Sequence, residues 1–156
     1  MIINKLPIRY NYSRRINEMR YIVVHDTGNP RRGAGALSHY KYFNGGYRAA
    51  SAHFFVDDRN VVETVDPHLV SWHCGDGKGR YGITNSNSIG IEICINEDSD
   101  FEKAKAQARE LIRFLCQTYR IPKKNVVRHY DASRKICPGR MAKDNWKEWR
   151  EFWDSI

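Results

Sequence analysis

The pattern of apolar and polar positions predicts a chain that alternates between strands and helices. Short apolar runs bounded by Gly, Pro, Asn or Asp are typical of strands. Between Ser88 and Ile95 isoleucine occupies every second position, so one face of that strand is predicted to be buried. A hairpin is expected where two runs are joined through Asp57-Asp58-Arg59-Asn60. The predicted strands are residues 21–24, 52–56, 61–65, 88–95 and 126–128.

Apolar residues at helical spacing predict helices over residues 33–43, 100–119 and 145–153. The second is the clearest, because Ser99 and Glu102 form a capping-box pattern before it and Pro122 follows it. The last helix carries tryptophans on one face, which we expect to pack on the core. The order of strand, helix, hairpin, strand, helix, strand, helix predicts an α/β fold, with a central mixed β-sheet flanked by α-helices.

The length of 156 residues fits a single domain, residues 1–156, whose core needs no disulfide bonds. No apolar stretch is long enough to cross a membrane and no secretory leader is visible, so we expect synthesis in a cytoplasm without a signal peptide. The four cysteines show no scaffold spacing and are expected to be reduced. The net charge of +8 indicates only that polyanions would be attracted.

Two histidines and a cysteine form the candidate metal site. His25 and His129 each follow an apolar strand run directly, and strand ends are where open α/β sheets place their sites. Cys137 lies in the loop after His129, and the Pro138-Gly139 turn pair can fold that loop back towards the imidazole. Two imidazoles and a thiolate suit zinc, and three protein ligands leave one coordination position open for chemistry.

Glu92 is the candidate general base. A glutamate in mid-strand is disfavoured by propensity and costly to bury without a partner, and such violations tend to mark functional sites. A solvent-facing glutamate with no special role stays open as the alternative. His53, inside a strand, and His73, in a Gly-rich loop after Trp72, remain less favoured candidates for metal ligation.

Together these motifs resemble zinc-dependent N-acetylmuramoyl-L-alanine amidases, the superfamily of phage endolysins, bacterial autolysins and peptidoglycan recognition proteins. The resemblance is closest to endolysins and prophage autolysins of Gram-positive hosts and covers nearly the whole chain, from about residue 11 to residue 153. The motifs that carry it, in chain order, are His25-Asp26-Thr27, Ala52-His53-Phe54, Trp72-His73, Ser88-Ile89-Gly90-Ile91-Glu92, and His129 through Cys137-Pro138-Gly139.

The resemblance implies a peptidoglycan-recognition-protein-like amidase fold with a groove over one zinc ion, held by His25, His129 and Cys137. It implies cleavage by zinc-activated water of the amide bond between N-acetylmuramic acid and the L-alanine of the stem peptide, and hence bacterial cell-wall lysis. Glu92 and Lys135 match the family's catalytic residues. Residues expected to contact the substrate are Asp26, Thr27, Trp72, His73 and Asn85.

The chain departs from the family at Ala52, where some members carry a catalytic Tyr before the His that matches His53. Without that Tyr, proton transfer should depend more heavily on Glu92.

Bacterial peptidoglycan is the expected partner, and anionic wall polymers would also meet the basic surface favourably. We expect a monomer that binds no nucleic acid, inserts in no membrane, and acts on the cell wall after release, without a cell-wall-binding domain in residues 1–156. Two alternatives stay open, a non-catalytic peptidoglycan-binding module and a hydrolase of another muropeptide amide bond. Cys137 disfavours the first, because non-cleaving relatives typically lack that ligand. A nucleic-acid-binding protein with a structural zinc is disfavoured, because no basic helix or aromatic platform is visible.

Overall fold

A central sheet of six strands organises the computed structural model, which describes residues 1–156. The sheet order is β1-β5-β4-β7-β3-β8, and β2 pairs with β6 in a separate two-stranded sheet. The strands are β1 (Ile3–Lys5), β2 (Tyr12–Arg14), β3 (Tyr21–Asp26), β4 (Phe54–Val56), β5 (Val61–Glu63), β6 (Leu69–Ser71), β7 (Ser88–Ile93) and β8 (Val126–Arg128). The helices are α1 (Ala36–Asn44), α2 (Phe101–Tyr119), α3 (His129–Ser133) and α4 (Lys143–Asp154).

The central sheet is mixed, as the sequence predicted. β4 and β5 form the predicted antiparallel hairpin, and every other neighbouring pair of the sheet is parallel. The carboxyl ends of β3, β7 and β8 therefore meet at one edge. That edge is where ligands bind in open α/β sheets.

Helices cover both faces of the sheet. On one face, Ile22 of β3 and Ile91 of β7 pack against α2 and α4 in the larger core cluster. On the other face, Ala36 of α1 packs against Phe55 and Val62. Because both faces are covered, every residue of β7 is buried except Glu92, which is partly exposed.

The cap of α2 differs from the one predicted. The Asp100 carboxylate accepts a hydrogen bond from the backbone N–H of Lys103 at 3.2 Å, which makes Asp100 the N-cap residue. Ser99 instead donates its hydroxyl to the Asp58 carboxylate at 2.9 Å. The predicted capping box of Ser99 and Glu102 is therefore wrong, although the helix and its buried stripe are where the apolar spacing placed them.

Three strands and one helix were missed. β1, β2 and β6 have three residues each, too few for an alternating pattern to stand out. The segment after β8 was predicted as a loop, but its first five residues form α3. In α4, Trp149 is buried while Trp146 and Trp153 pack against the core with part of their surface exposed, which confirms the predicted packing face.

The four cysteines are free thiols. None of the helices is both long and apolar enough to cross a membrane.

Candidate metal centre

The register of three parallel strands brings the candidate residues together at the carboxyl edge of the sheet. His25 of β3 lies opposite Glu92 of β7, and Val24 lies opposite Arg128 of β8. His129 follows Arg128 directly, so its side chain comes next to His25. Pairing between strands far apart in sequence thus assembles the site.

His25, His129 and Cys137 form a compact set of donors. Their candidate ligand atoms all lie within 4.8 Å of one another, and the three residues are buried. The Nδ1 atoms of His25 and His129 are 3.1 Å apart, and the Cys137 Sγ is 3.8 Å from the His25 Nδ1. The structure therefore places the three predicted metal ligands around one point, with both histidines presenting Nδ1.

The segment between His129 and Cys137 closes on itself. After the turn of α3, the backbone N–H of Tyr130 donates to the carbonyl of Cys137 at 3.0 Å. Arg128 and Asp131 are joined by three hydrogen bonds of 2.6–2.9 Å, which fix the start of α3. The spacing of eight residues thus accommodates a helical turn and a return that places the thiol beside the imidazole.

Glu92 lies next to this donor set but is not part of it. Its Oε1 is 3.9 Å from the His25 Nδ1, and its Oε2 is buried with no hydrogen-bond partner. Burial, together with the nearby charge of Asp26, raises the pKa of Glu92 well above its ordinary value, and the positive charge of Lys135 opposes that shift. A carboxyl group with a raised pKa and a free oxygen suits proton transfer.

Burial also favours the neutral forms of two of the ligands, His25 and Cys137. Burial and the neighbouring charges of His73, His129 and Lys135 hold the pKa of His25 well below its ordinary value. Burial and the nearby Glu92 charge raise the pKa of the Cys137 thiol. A neutral imidazole is ready to bind a metal, whereas the thiol must lose its proton, so metal binding releases a proton here.

The metal site opens into a groove of about 450 Å³. Lys135 lines it, is exposed, and forms no ion pair, so its ammonium group is available to a ligand. Thr27 lines it as well, and its Oγ1 is buried without a hydrogen-bond partner. Trp72 forms part of the wall and donates its Nε1–H to Ser13 at 3.2 Å. An adjoining cavity of about 300 Å³ shares Trp72 and Lys135 with the groove.

Two residues predicted to contact substrate are engaged in contacts within the protein. The Asp26 carboxylate accepts from the backbone N–H groups of Gly28 at 3.1 Å and Arg140 at 2.6 Å, which ties the end of β3 to the loop after Cys137. The Asn85 side-chain oxygen accepts from the N–H groups of His73 and Cys74 at 2.9 and 2.7 Å. Asp26 lines the groove and Asn85 lines the adjoining cavity.

The remaining histidines have separate places. His53 lies outside the donor set, where its Nδ1 accepts from the Gly90 N–H at 2.9 Å, and burial lowers its pKa to about 3. His73 does not join the donor set either, but its Nδ1 lies 3.0 Å from the Nε2 of His25. Asp76, which the sequence did not single out, has its Oδ1 2.7 Å from the Nε2 of His129. In the sequence, the glycines near His73 and Asp76 were the only signal that this loop approaches other elements closely.

Comparison with known sequences shows similarity over most of the chain. A profile of the family described as N-acetylmuramoyl-L-alanine amidase matches residues 15–140. The chain is 43% identical to the N-acetylmuramoyl-L-alanine amidase CwlH of Bacillus subtilis over 126 residues, which are 81% of this chain and 49% of that protein. It is 41% identical to the amidase XlyA of B. subtilis over 130 residues, 83% of this chain and 42% of that protein. The chain thus spans about half the length of these relatives or less.

Solved structures share the fold over nearly the full length of both chains. The catalytic domain of XlyA matches with a TM-score of 0.86 and 36% identity, covering 100% of this chain and 99% of that one. PlyL matches with a TM-score of 0.85 and 30% identity, covering 99% and 96%. The Staphylococcus aureus hydrolase AmiA, at 20% identity and a TM-score of 0.80, shares the fold.

Proposed function

Because the chain belongs to the N-acetylmuramoyl-L-alanine amidase family, as its motifs predicted, we propose that it hydrolyses the amide bond between N-acetylmuramic acid and L-alanine in bacterial peptidoglycan. CwlH and XlyA are named for this activity. The observation that carries the proposal is the buried group of His25, His129 and Cys137, which lies beside Glu92 at an open groove.

The donor set fits one zinc ion. Imidazole and thiolate are the ligands that zinc prefers, and three protein ligands with a vacant position characterise its catalytic sites. The His25 Nδ1 lies 3.1 Å from the His129 Nδ1 and 3.8 Å from the Cys137 Sγ, distances that ligands of one ion can have when the bonds are 2.0–2.3 Å, the usual range for zinc. The Oε2 of Glu92 is left unpartnered beside this set, which supports a role towards a reactant rather than towards the fold.

The residues around the ion divide the chemistry between them. When bound, zinc supplies a Lewis acid for the scissile carbonyl and lowers the pKa of water to about 7. Glu92 accepts the proton of the attacking water and later passes it to the leaving amine of L-alanine. Lys135 holds its positive charge where negative charge develops on the carbonyl oxygen. Ala52 leaves no tyrosine hydroxyl at that position to share the proton transfer, so the transfer depends more heavily on Glu92.

The groove and the cavity beside it both border the proposed metal ligands and give the substrate room there. Trp72, His73 and Lys135 line both spaces, so a substrate that extends from one into the other passes these residues. Trp72 offers an apolar surface to sugar or peptide, and the free hydroxyl of Thr27 offers a hydrogen bond. Asp26 and Asn85 shape the groove through the loops they fix.

The wider setting follows from the same proposal. The substrate is cell-wall peptidoglycan, and the catalytic unit is residues 1–156 acting as a monomer on the wall after release from the cytoplasm. The basic surface, with a net charge of +8, favours approach to anionic wall polymers.

Digestion of purified Gram-positive walls, followed by mass spectrometry of the products, tests the activity. We expect new amino groups on L-alanine and intact glycan strands. New reducing ends, or new amino groups on another stem residue, would contradict the proposal.

Replacing Lys135 with Ala should lower the rate roughly 100-fold to 1,000-fold without loss of zinc, as for removal of one oxyanion donor. Glu97→Gln, an exposed carboxylate outside the groove, is the control and should leave the rate unchanged.

A further inference from the structure

We propose that the loop of residues 72–77 is a positioning element for the metal site, in which His73 and Asp76 hold His25 and His129 with their Nδ1 atoms free to bind zinc. The inference rests on the proposed zinc site and goes beyond it, because neither residue is a ligand. The two residues touch the two histidine ligands from the side opposite the donor atoms.

The contact with His129 fixes which ring nitrogen carries the proton of the neutral imidazole. The Asp76 Oδ1 lies 2.7 Å from the His129 Nε2, and an ionised carboxylate can only accept a hydrogen bond. The Nε2 of His129 therefore carries the proton and donates. In the neutral imidazole this leaves Nδ1 without a hydrogen and with its lone pair free.

A chain of hydrogen bonds reaches the same result for His25. The Ser88 hydroxyl is 2.5 Å from the carbonyl of Thr84, which can only accept, so the single hydroxyl proton points there. Ser88 must then accept from the His73 Nε2 at 3.1 Å, which leaves the His73 Nδ1 as an acceptor. That Nδ1 lies 3.0 Å from the His25 Nε2, which consequently donates. The His25 Nδ1 is left free.

These assignments make the pair of histidines a cation site. Their two Nδ1 atoms lie 3.1 Å apart, and in the neutral rings the two assignments leave both atoms without hydrogen. Two lone pairs at this distance repel each other unless a cation lies between them. The outer contacts thus prepare both imidazoles for the same ion.

The loop is built to hold these contacts. A Cβ atom at Gly90 would lie 2.5 Å from the His73 ring, so only glycine lets that ring pack on β7. A Cβ atom at Gly77 would lie 2.1 Å from the carbonyl oxygen of Ala132, so only glycine lets the loop approach α3. Asn85 accepts from the N–H of His73, and Ser51 accepts from the N–H of Trp72, both at 2.9 Å. One glycine of β7, one glycine of the loop and two polar anchors outside the loop hold it against both ligands.

The proton positions can be read in the metal-free protein by long-range ¹H–¹⁵N NMR correlation of the imidazoles. We expect both His25 and His129 as the Nε2–H tautomer in the wild-type chain. Asp76→Asn keeps an acceptor oxygen and should keep the tautomer of His129, whereas Asp76→Ala should give a mixture. His73→Ala should release His25 in the same way and leave His129 unchanged.

Zinc affinity, measured by competition with a chelator, provides the second readout. Loss of an outer partner typically costs 10-fold to 100-fold in metal affinity, so we expect a loss of about that size for Asp76→Ala and a smaller one for Asp76→Asn. Asp154→Asn, an exposed carboxylate in α4, is the charge control and should bind zinc like the wild type. Circular dichroism melting shows whether each variant is folded. If a variant is not folded, the tautomers of the wild-type protein still test the inference.

An Nδ1–H tautomer of either ligand in the wild type, or wild-type zinc affinity in folded Asp76→Ala and His73→Ala, would overturn the inference. These results are independent of the activity assay. If the wild type fails to cleave the muramoyl amide but shows the expected tautomers and affinities, the proposed function fails and the positioning loop stands.

Discussion

The burial of Glu92 leads to a prediction that separates its proposed catalytic role from its effect on stability. Its side chain is one-fifth exposed, and its Oε2 is buried without a partner. Without zinc nearby, burial and the charge of Asp26 raise the pKa of Glu92 well above its ordinary value. The native state therefore binds the Glu92 proton more tightly than the unfolded state does.

The sign of the pH dependence follows from this difference. Below the unfolded pKa of about 4.3 the group is protonated in both states and Glu92 costs nothing. As pH rises towards the raised native pKa, the unfolded state loses its proton first, and the native state loses stability relative to it. Glutamine has nearly the same shape and does not titrate. Metal-free Glu92→Gln should therefore equal the wild type near pH 4 and become more stable than the wild type at neutral pH.

The gain at neutral pH should be about 1.4 kcal/mol for each unit by which the native pKa of Glu92 exceeds the unfolded one, because glutamine keeps a polar group and removes only the charge. For a chain of this size that corresponds to about 2–4 °C in melting temperature per kcal/mol. Thermal melts of chelator-treated protein from pH 4 to pH 8 measure it. The same variant should retain zinc and lose about 100-fold to 10,000-fold in amide hydrolysis, the range for a general base. Glu97→Gln, whose side chain is 61% exposed, should change neither quantity.

Equal stability of wild type and Glu92→Gln at every pH would refute the claim that the Glu92 carboxyl is buried without a partner and has a raised pKa. Loss of zinc together with loss of rate would refute the division between ligands and base, since Glu92 would then belong to the donor set. Full activity with intact zinc would assign the proton transfer to another group.

Two further predictions concern the metal and the surface charge. Cys137→Ser should bind zinc much more weakly and lose wall lysis with it, because a hydroxyl does not ionise as readily as a thiol; elemental analysis after gel filtration measures the zinc, and full zinc content would contradict the assigned ligand set. Added salt should weaken wall lysis more than cleavage of a soluble muropeptide, because the Debye length shrinks to about 10 Å at 0.1 M and screens the long-range attraction of the +8 surface, not the metal site; equal salt dependence would contradict it.

The sequence predicted the two histidine donors because each follows a short apolar strand run. His25 and His129 directly follow runs whose strand character is clear, and parallel pairing brings those strand ends together. Glu92 stood out because a glutamate interrupts an isoleucine strand. The cap was wrongly predicted at Ser99 because Ser99 and Asp100 are adjacent and both side chains readily accept a hydrogen bond from the first turn of a helix. Only the fold shows that the Ser99 hydroxyl donates instead to the carboxylate of Asp58, 41 residues away.

The loop of residues 72–77 shows where such prediction stops and what would extend it. Nothing in Trp72-His73-Cys74-Gly75-Asp76-Gly77 indicates which side chains reach a metal ligand, because each contact depends on how the loop lies against β7 and α3. The glycines do carry a signal, since Gly90 interrupts a strand of isoleucines and Gly77 follows a loop carboxylate. In the fold each marks a close approach, of the His73 ring at Gly90 and of the Ala132 carbonyl at Gly77. A glycine in a strand, opposite a loop that carries a histidine, therefore predicts that the histidine packs on the sheet, next to the ligands at the sheet edge.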